Sequence, residues 1–191
     1  MKKIILFSTT ALLLFAFRAV DSTTWTVDKG HSRLGFSITH LGVNEIQGDF
    51  KKFECAITTS KEDFSDALVE ASAEISSINS GNEKRDEHLK SADFFDAAKF
   101  MTLTFKSKSV KVMGDNKLKI SGDLTLHGVT KPVDLDASYR KGMNPMSKKD
   151  IVGFHISGTV KRSDFGVGAT FPAPMLSDEV MLVADGEFGK K

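Results

Sequence analysis

The side chains closest to a usable chemical arrangement are Arg85, Asp86 and His88, in the run Arg85-Asp86-Glu87-His88-Leu89. On a helix, spacings of three and four put Arg85, His88 and Leu89 on one face, so a guanidinium and an imidazole stand beside a hydrophobic anchor. Two uses fit. Arg85 and Asp86 could brace the helix to neighbouring loops by ion pairs and hydrogen bonds. Alternatively, Arg85 and His88 could stand at the mouth of an apolar cavity, where a bidentate guanidinium holds an anionic or polar headgroup.

Other chemistries find less support. The five histidines, His31, His40, His88, His127 and His155, contain no pair at the H-x-H or i, i+4 spacing common in zinc and copper sites, so no metal is assigned. Ser163-Asp164-Phe165-Gly166 contains the letters of a kinase motif, but neither a glycine-rich nucleotide loop nor a catalytic HRD stretch accompanies it. Gly166-Val167-Gly168 lacks the third glycine before a helix that a dinucleotide site requires. No G-x-S-x-G occurs. Cys55, between Phe53 and Ile57 on an alternating segment, reads as a small buried hydrophobe. His40 is the one imidazole that alternation points inward, so it is the candidate if a bound molecule were chemically altered. No catalytic residue is assigned.

The elements that must position these groups are almost all strands. In 118–139, Leu118, Ile120, Leu124 and Leu126 fall on one face and Lys119, Ser121, Asp123 and Thr125 on the other. After His127-Gly128, Val133, Leu135, Ala137 and Tyr139 repeat the pattern, which predicts an antiparallel hairpin with one dry side. Trp25 and Val27 predict a short strand ending in a turn at Asp28-Lys29-Gly30. Leu34, Phe36, Ile38 and His40 then share a face. A turn at Leu41-Gly42 precedes a long alternating stretch from Val43 to Thr58, in which Gly48 predicts a bulge or bend. Val69 to Ile75 alternates again after the polar run 61–67. Further strands are predicted through Met101, Leu103 and Phe105, through Val152, Phe154, Ile156 and Val160, and through Val180, Leu182, Ala184 and Phe188.

The period changes once. Ser80 followed by Glu83 has the form of a capping box, and Asn82 to about Ala92 lacks glycine and proline. The resulting helix has Leu89 as its only large apolar residue, so it must lie over the end or flank of the sheet, anchored by Leu89 and Phe94-Phe95. The fold class is therefore all-β, with eight or nine strands and one inserted α-helix. A filled sandwich and a closed antiparallel sheet of about eight strands, wide enough for a small ligand, both satisfy the pattern. Strand length favours the closed form.

Composition bounds the setting. Lys2 and Lys3 precede the apolar run Ile4 to Phe17, which is short for a bilayer span and suited to the core of a secretory signal. With Val20 and Ser22 at the −3 and −1 positions, cleavage is expected after Ser22, giving a leader at 1–22, a single domain at 23–191 and a periplasmic or secreted location. Removing Lys2, Lys3, Arg18 and Asp21 takes the 26 basic and 25 acidic residues to 23 and 24, a net charge of −1. Without a gathered basic excess, nucleic acid is not a partner. One cysteine excludes an internal disulfide, and no lipid-attachment cysteine follows the leader, so no stable membrane insertion is expected after cleavage.

Taken in order, the stations Trp25-x-Val27-Asp28, His31-Ser32, Phe36, His40, Gly48-x-Phe50, Arg85-Asp86-x-His88-Leu89, Phe94-Phe95, Gly122-Asp123-Leu124-Thr125, Gly128-Val129-Thr130 and Arg162-x-Asp164-Phe165-Gly166 resemble the YceI family. They span nearly all of 23–189. The resemblance departs at Met101, where a proline is expected. It implies a lipocalin-like antiparallel barrel of about eight strands holding a long isoprenoid, quinone or similar amphiphilic lipid, with no other cofactor. The lumen contacts expected are Phe36, Ile38, His40 and Phe50 from the first half of the chain. Leu124, Leu126, Leu135 and Phe154 join them from the second half, with Arg85, His88 and Arg162 as polar contacts. Carriage or storage of the lipid, by a monomer or homodimer, is the expected role. An enzyme acting on the lipid and a barrel without ligand remain the other two readings.

Overall fold

The computed structural model describes residues 21–191, so all of the expected leader except Asp21 and Ser22 lies outside the described residues. Ten strands follow in order: β1 (Thr23–His40), β2 (Asn44–Phe50), β3 (Phe53–Thr59), β4 (Leu68–Glu74), β5 (Ile78–Asn79), β6 (Thr102–Gly114), β7 (Lys117–Leu126), β8 (Val129–Met143), β9 (Asp150–Lys161) and β10 (Leu176–Lys190). The helix α1 (Glu83–Lys90) lies between β5 and β6. Every ladder is antiparallel, and β10 pairs with β1 to close the sheet.

The closed wall has eight strands because two of its arms are each made of two pieces. β1 pairs with β3 over Thr23–Thr26 and with β2 over Gly35–His40, so β2 and β3 are halves of one arm bent at Lys51-Lys52. β4 and β5 bend in step, with a 3-10 turn at Ile75–Ser77 between them. Backbone hydrogen bonds lock the two bends together: Lys51 N–H donates to Ser77 O at 3.0 Å and Glu74 N–H to Lys52 O at 2.9 Å. Around the barrel each strand therefore neighbours the next in sequence, the up-and-down order that removes free edges.

Several local expectations change. Asp28-Lys29-Gly30 does not end a strand. β1 runs through it, and the register with β10 jumps from Asp28 opposite Glu187 to Ser32 opposite Gly186, so the extra residues bulge outward. Gly48 is not the bend, which falls three residues later. It sits directly opposite Phe36, whose ring would lie 2.4 Å from a Cβ at that position, so glycine is there to let the ring lie flat across the sheet. The helix is capped by Asn82, whose side chain accepts from Arg85 N–H at 3.1 Å, while Ser80 is engaged elsewhere. Met101 does not face inward with Leu103. It precedes the strand and is exposed, and its carbonyl accepts from Ile75 N–H at 2.9 Å.

The two ends of the barrel are closed differently. At the lower end, where β1 begins, the 59–68 loop turns Phe64 back inside, leaving it 1% exposed. Its ring stands 4.9 Å from Tyr139 and 5.1 Å from Phe154, both nearly edge-on, and 6.2 Å from Trp25. Phe188 extends the cluster through Phe154 at 5.6 Å. The loop is held by Asp66, which accepts from the Thr59 hydroxyl at 2.5 Å and from the Ser60 hydroxyl and N–H at 2.5 and 3.1 Å. The upper end carries the β1–β2 turn, α1 with the loop after it, the β7–β8 turn and the long segment before β10.

Candidate ligand-binding cavity

Above the aromatic floor the barrel is hollow. A cavity of about 490 Å³ runs up to the rim, within the size range of small-molecule sites. Alternation places its wall: successive residues of a strand point to opposite faces, so Phe36 and Ile38 of β1, Leu124 and Leu126 of β7, and Leu135 of β8 all reach it. Phe154 supplies part of the floor. Phe50 is buried against Phe36 at 6.0 Å and Phe95 at 6.3 Å. The expected apolar contacts therefore line a void instead of interlocking. A filled sandwich would have left none.

Cys55 also faces this wall, and burial pushes its thiol up to about 12. It stays protonated near neutrality and behaves as a small apolar group, as the alternation around it suggests.

Polar groups gather at the upper end, and they are not equivalent. Arg162 is 7% exposed and has no carboxylate partner among the described residues; its five N–H donors meet backbone carbonyls instead. Nε donates to Ser177 O at 3.0 Å, Nη1 to Val167 O at 3.1 Å and Gly168 O at 2.6 Å, and Nη2 to Phe171 O at 2.5 Å and Leu176 O at 3.0 Å. This arginine touches the cavity with its donors already engaged, so its work is to fold the segment before β10. That corrects the expectation that it offers a polar contact to a ligand.

Arg85 is different. Nε donates to the Ser80 hydroxyl and Nη2 to the Ser80 carbonyl, each at 2.7 Å. Ser80 in turn donates its N–H and hydroxyl to Asp86 at 2.8 and 2.5 Å, which braces the helix as one of the two readings of this cluster requires. Of the five donors of a guanidinium, Ser80 takes two, and Arg85 is among the residues that line the cavity. Among the described residues no carboxylate lies within ion-pairing distance of either arginine.

His88 joins the roof. Its Nε2 lies 3.2 Å from Asp93 Oδ2, and its ring stands edge-on to Phe94 at 5.1 Å and Phe171 at 5.8 Å. Phe94 and Phe171 stack at 4.7 Å, tying the loop after α1 to the segment before β10. His40 reaches the cavity only at its mouth. It pairs with Asn44 and Leu176 at the last position of β1, and its side chain is exposed at the rim. Alternation still holds there, but the strand has reached the end of the wall, so inward no longer means covered. Together His40, His88 and Met175 are exposed members of the lining and mark where it reaches solvent.

A family model for the YceI-like domain matches residues 25–188 of this arrangement. The chain belongs to the YceI family. A UPF0312 protein of Staphylococcus aureus (strain N315) is 37% identical over 167 residues, 87% of this chain and 94% of its own. Among solved structures, the YceI protein of Campylobacter jejuni is 31% identical, covers 80% of this chain and 90% of its own, and superposes with a TM-score of 0.73. A polyisoprenoid binding domain from Saccharophagus degradans shares the fold at 14% identity, covering 88% and 98% of the two chains with a TM-score of 0.64. No helix among the described residues is long and apolar enough to cross a membrane.

Within this YceI barrel, Phe95 and Phe171 are lining residues that strand periodicity misses, since both lie in irregular segments. Phe94-Phe95 does stand out as a doublet after a polar helix, whereas Phe171 has no signal beyond its neighbour Pro172. Outside the cavity, the β1 bulge brings Asp28, His31 and Glu187 within 4.8 Å of one another. Asp28 there accepts from Gly30 N–H and pairs with His31, each at 2.9 Å, and that pairing raises His31 and lowers Asp28. An ion pair across a bulge explains the trio.

Proposed function

We propose that this protein binds a long-chain amphiphilic lipid, an isoprenoid, a quinone or a similar molecule, and carries or stores it in an aqueous compartment outside the cytoplasm. The observation that carries this reading is the cavity itself: about 490 Å³ bounded by Phe, Leu and Ile side chains, in a protein whose lower half is densely packed. An apolar void of this kind gains by accepting an apolar chain, since removing each methylene from water is worth about 0.8 kcal/mol. Membership of the YceI family, and the name of the Saccharophagus degradans domain, support the same ligand class.

The head of the lipid belongs at the upper end, where Arg85 has further N–H donors that meet no acceptor among the described residues, beside His88. In this reading the protein is a binder: His40, the one imidazole that alternation turns inward, meets the cavity at its exposed mouth and not along the apolar wall that would hold the chain. The leader-like segment supports a periplasmic or secreted location. Mass spectrometry of an organic extract of the purified protein tests the proposal. A stoichiometric long-chain lipid is expected; an empty extract, together with failure to take up any long-chain ligand added later, would remove it.

A further inference from the structure

The β1–β2 turn is built against the ordinary rules for a soluble surface. Leu41 is 55% exposed and Val43 is 86% exposed, and no loop or helix among the described residues covers them. Leu41 also has a φ of +53°, a left-handed conformation that an L side chain with a Cβ adopts at a cost, and Gly42 follows at +68°. Asparagine or glycine would satisfy this backbone with less strain. A large apolar side chain kept in a strained tip, with no packing among the described residues to offset it, calls for contact with something outside.

The surroundings say what that is. Leu41 N–H donates to Met175 O at 3.0 Å, so the tip is fastened to a second exposed apolar residue, 44% accessible, from the segment before β10. Met175 and the neighbouring His40 belong to the cavity lining, whereas Leu41 and Val43 do not. The apolar tip is thus continuous with the rim of the cavity without being part of the wall that holds a ligand. A long-chain lipid has almost no free concentration in water and must enter from a lipid phase, so the rim has to meet one. Leu41, Gly42, Val43 and Asn44 carry no charge, which suits insertion among acyl chains and headgroups of any sign.

We propose that the tip formed by Leu41 and Val43, with Met175 beside it, docks the cavity rim on a lipid surface so that a lipid can pass between bilayer and lumen without crossing water. This rests on the lipid-binding reading above. A second copy of the chain covering the same tip is the competing occupant, and the test separates the two.

The experiment compares the mature wild-type chain with the double variant Leu41→Asn, Val43→Asn. Three quantities are measured: co-flotation with vesicles of phosphatidylcholine and of phosphatidylglycerol, the rate of uptake of a fluorescent long-chain probe from those vesicles, and the equilibrium affinity for the same probe in vesicle-free solution. Wild type is expected to float with both vesicle types, with little dependence on salt. The variant should lose roughly tenfold in flotation and in uptake rate, the scale of moving two shallowly inserted apolar side chains out of an interface. Its solution affinity should be unchanged and its melting temperature equal or higher, since asparagine tolerates the left-handed backbone. Wild type that binds the probe in solution but ignores both vesicles would overturn docking while leaving the lipid-binding reading intact. Light scattering that shows a wild-type dimer and a monomeric variant, without vesicle binding, would assign the tip to a second copy and also overturn it. If solution binding of the probe is absent too, the lipid-binding reading itself has failed.

Discussion

The lower and upper halves of the barrel use the same strands, the same alternation and largely the same residue types, yet one is packed and the other hollow. The difference lies in what the connections deliver. At the lower end the 59–68 loop folds Phe64 into the tube, and its ring meets Trp25, Tyr139 and Phe154. At the upper end α1 and the segment before β10 lay Phe94, Phe171 and His88 across part of the opening as a roof, leaving the volume beneath them empty. Alternation sets which face is dry. Whether that face becomes a core or a cavity depends on a few side chains from loops.

The sharpest way to break this comparison is to remove one apolar side chain from each half. Phe64→Ala should cost about 3–5 kcal/mol, the usual loss for a fully buried phenylalanine that leaves a cavity behind. Ile38→Ala should cost about 1 kcal/mol, because Ile38 already borders open space and its loss creates little new void. Denaturant titration of both variants reads the difference. Equal losses would mean that the two halves are packed alike.

The two arginines sharpen the contrast within the upper half. Arg162→Ala leaves five carbonyls without their donor and should destabilise the fold by about 3 kcal/mol or more, whatever the ligand. Arg85→Ala should weaken a ligand with a charged or hydrogen-bonding head by about 1.5–3 kcal/mol and a headless hydrocarbon hardly at all. Calorimetric titration with both ligands, beside melting curves, distinguishes these outcomes. Should Arg85→Ala weaken both ligands equally and also lower the melting temperature, Arg85 belongs with Arg162 as a brace.

Much of the wall was legible because burial on one face imposes a period of two, which Leu124, Leu126 and Leu135 obey without exception. The helix was legible from a polar run free of glycine and proline, but its cap was not. Ser80 has the right spacing from Glu83, yet side-chain hydrogen bonds with Arg85 and Asp86, five and six residues on, claim its groups, and Asn82 caps in its place. Phe64 and Phe171 were illegible for a related reason. Each is a single aromatic residue in an irregular segment, where neither period applies and only the closed barrel decides that it points inward. His40 shows the converse: its parity is right, but parity carries no information on where the wall stops.

A smaller effect tests the loop that delivers Phe64. The Ser60 and Thr59 hydroxyls donating to Asp66 hold its carboxyl well below the usual carboxylate range. A carboxylate whose folded pKa is depressed contributes stability above its unfolded value and loses it as pH falls towards the folded one. Melting curves of wild type and Asp66→Asn should therefore differ above about pH 4 and converge in stronger acid. A gap that stays constant across that range would show that Asp66 does not secure the loop through its charge.

The central claim, that the upper half is a container, is tested most directly by filling it. Ala71 and Leu135 both line the cavity from the wall, so Ala71→Trp with Leu135→Trp places two indoles where a lipid chain would run. Native mass spectrometry of wild type loaded with a long-chain isoprenoid should show one lipid retained per chain, and the double variant, still folded by circular dichroism, should emerge without it. A folded double variant that retains the lipid as well as wild type does would contradict the claim and place the ligand elsewhere on the molecule.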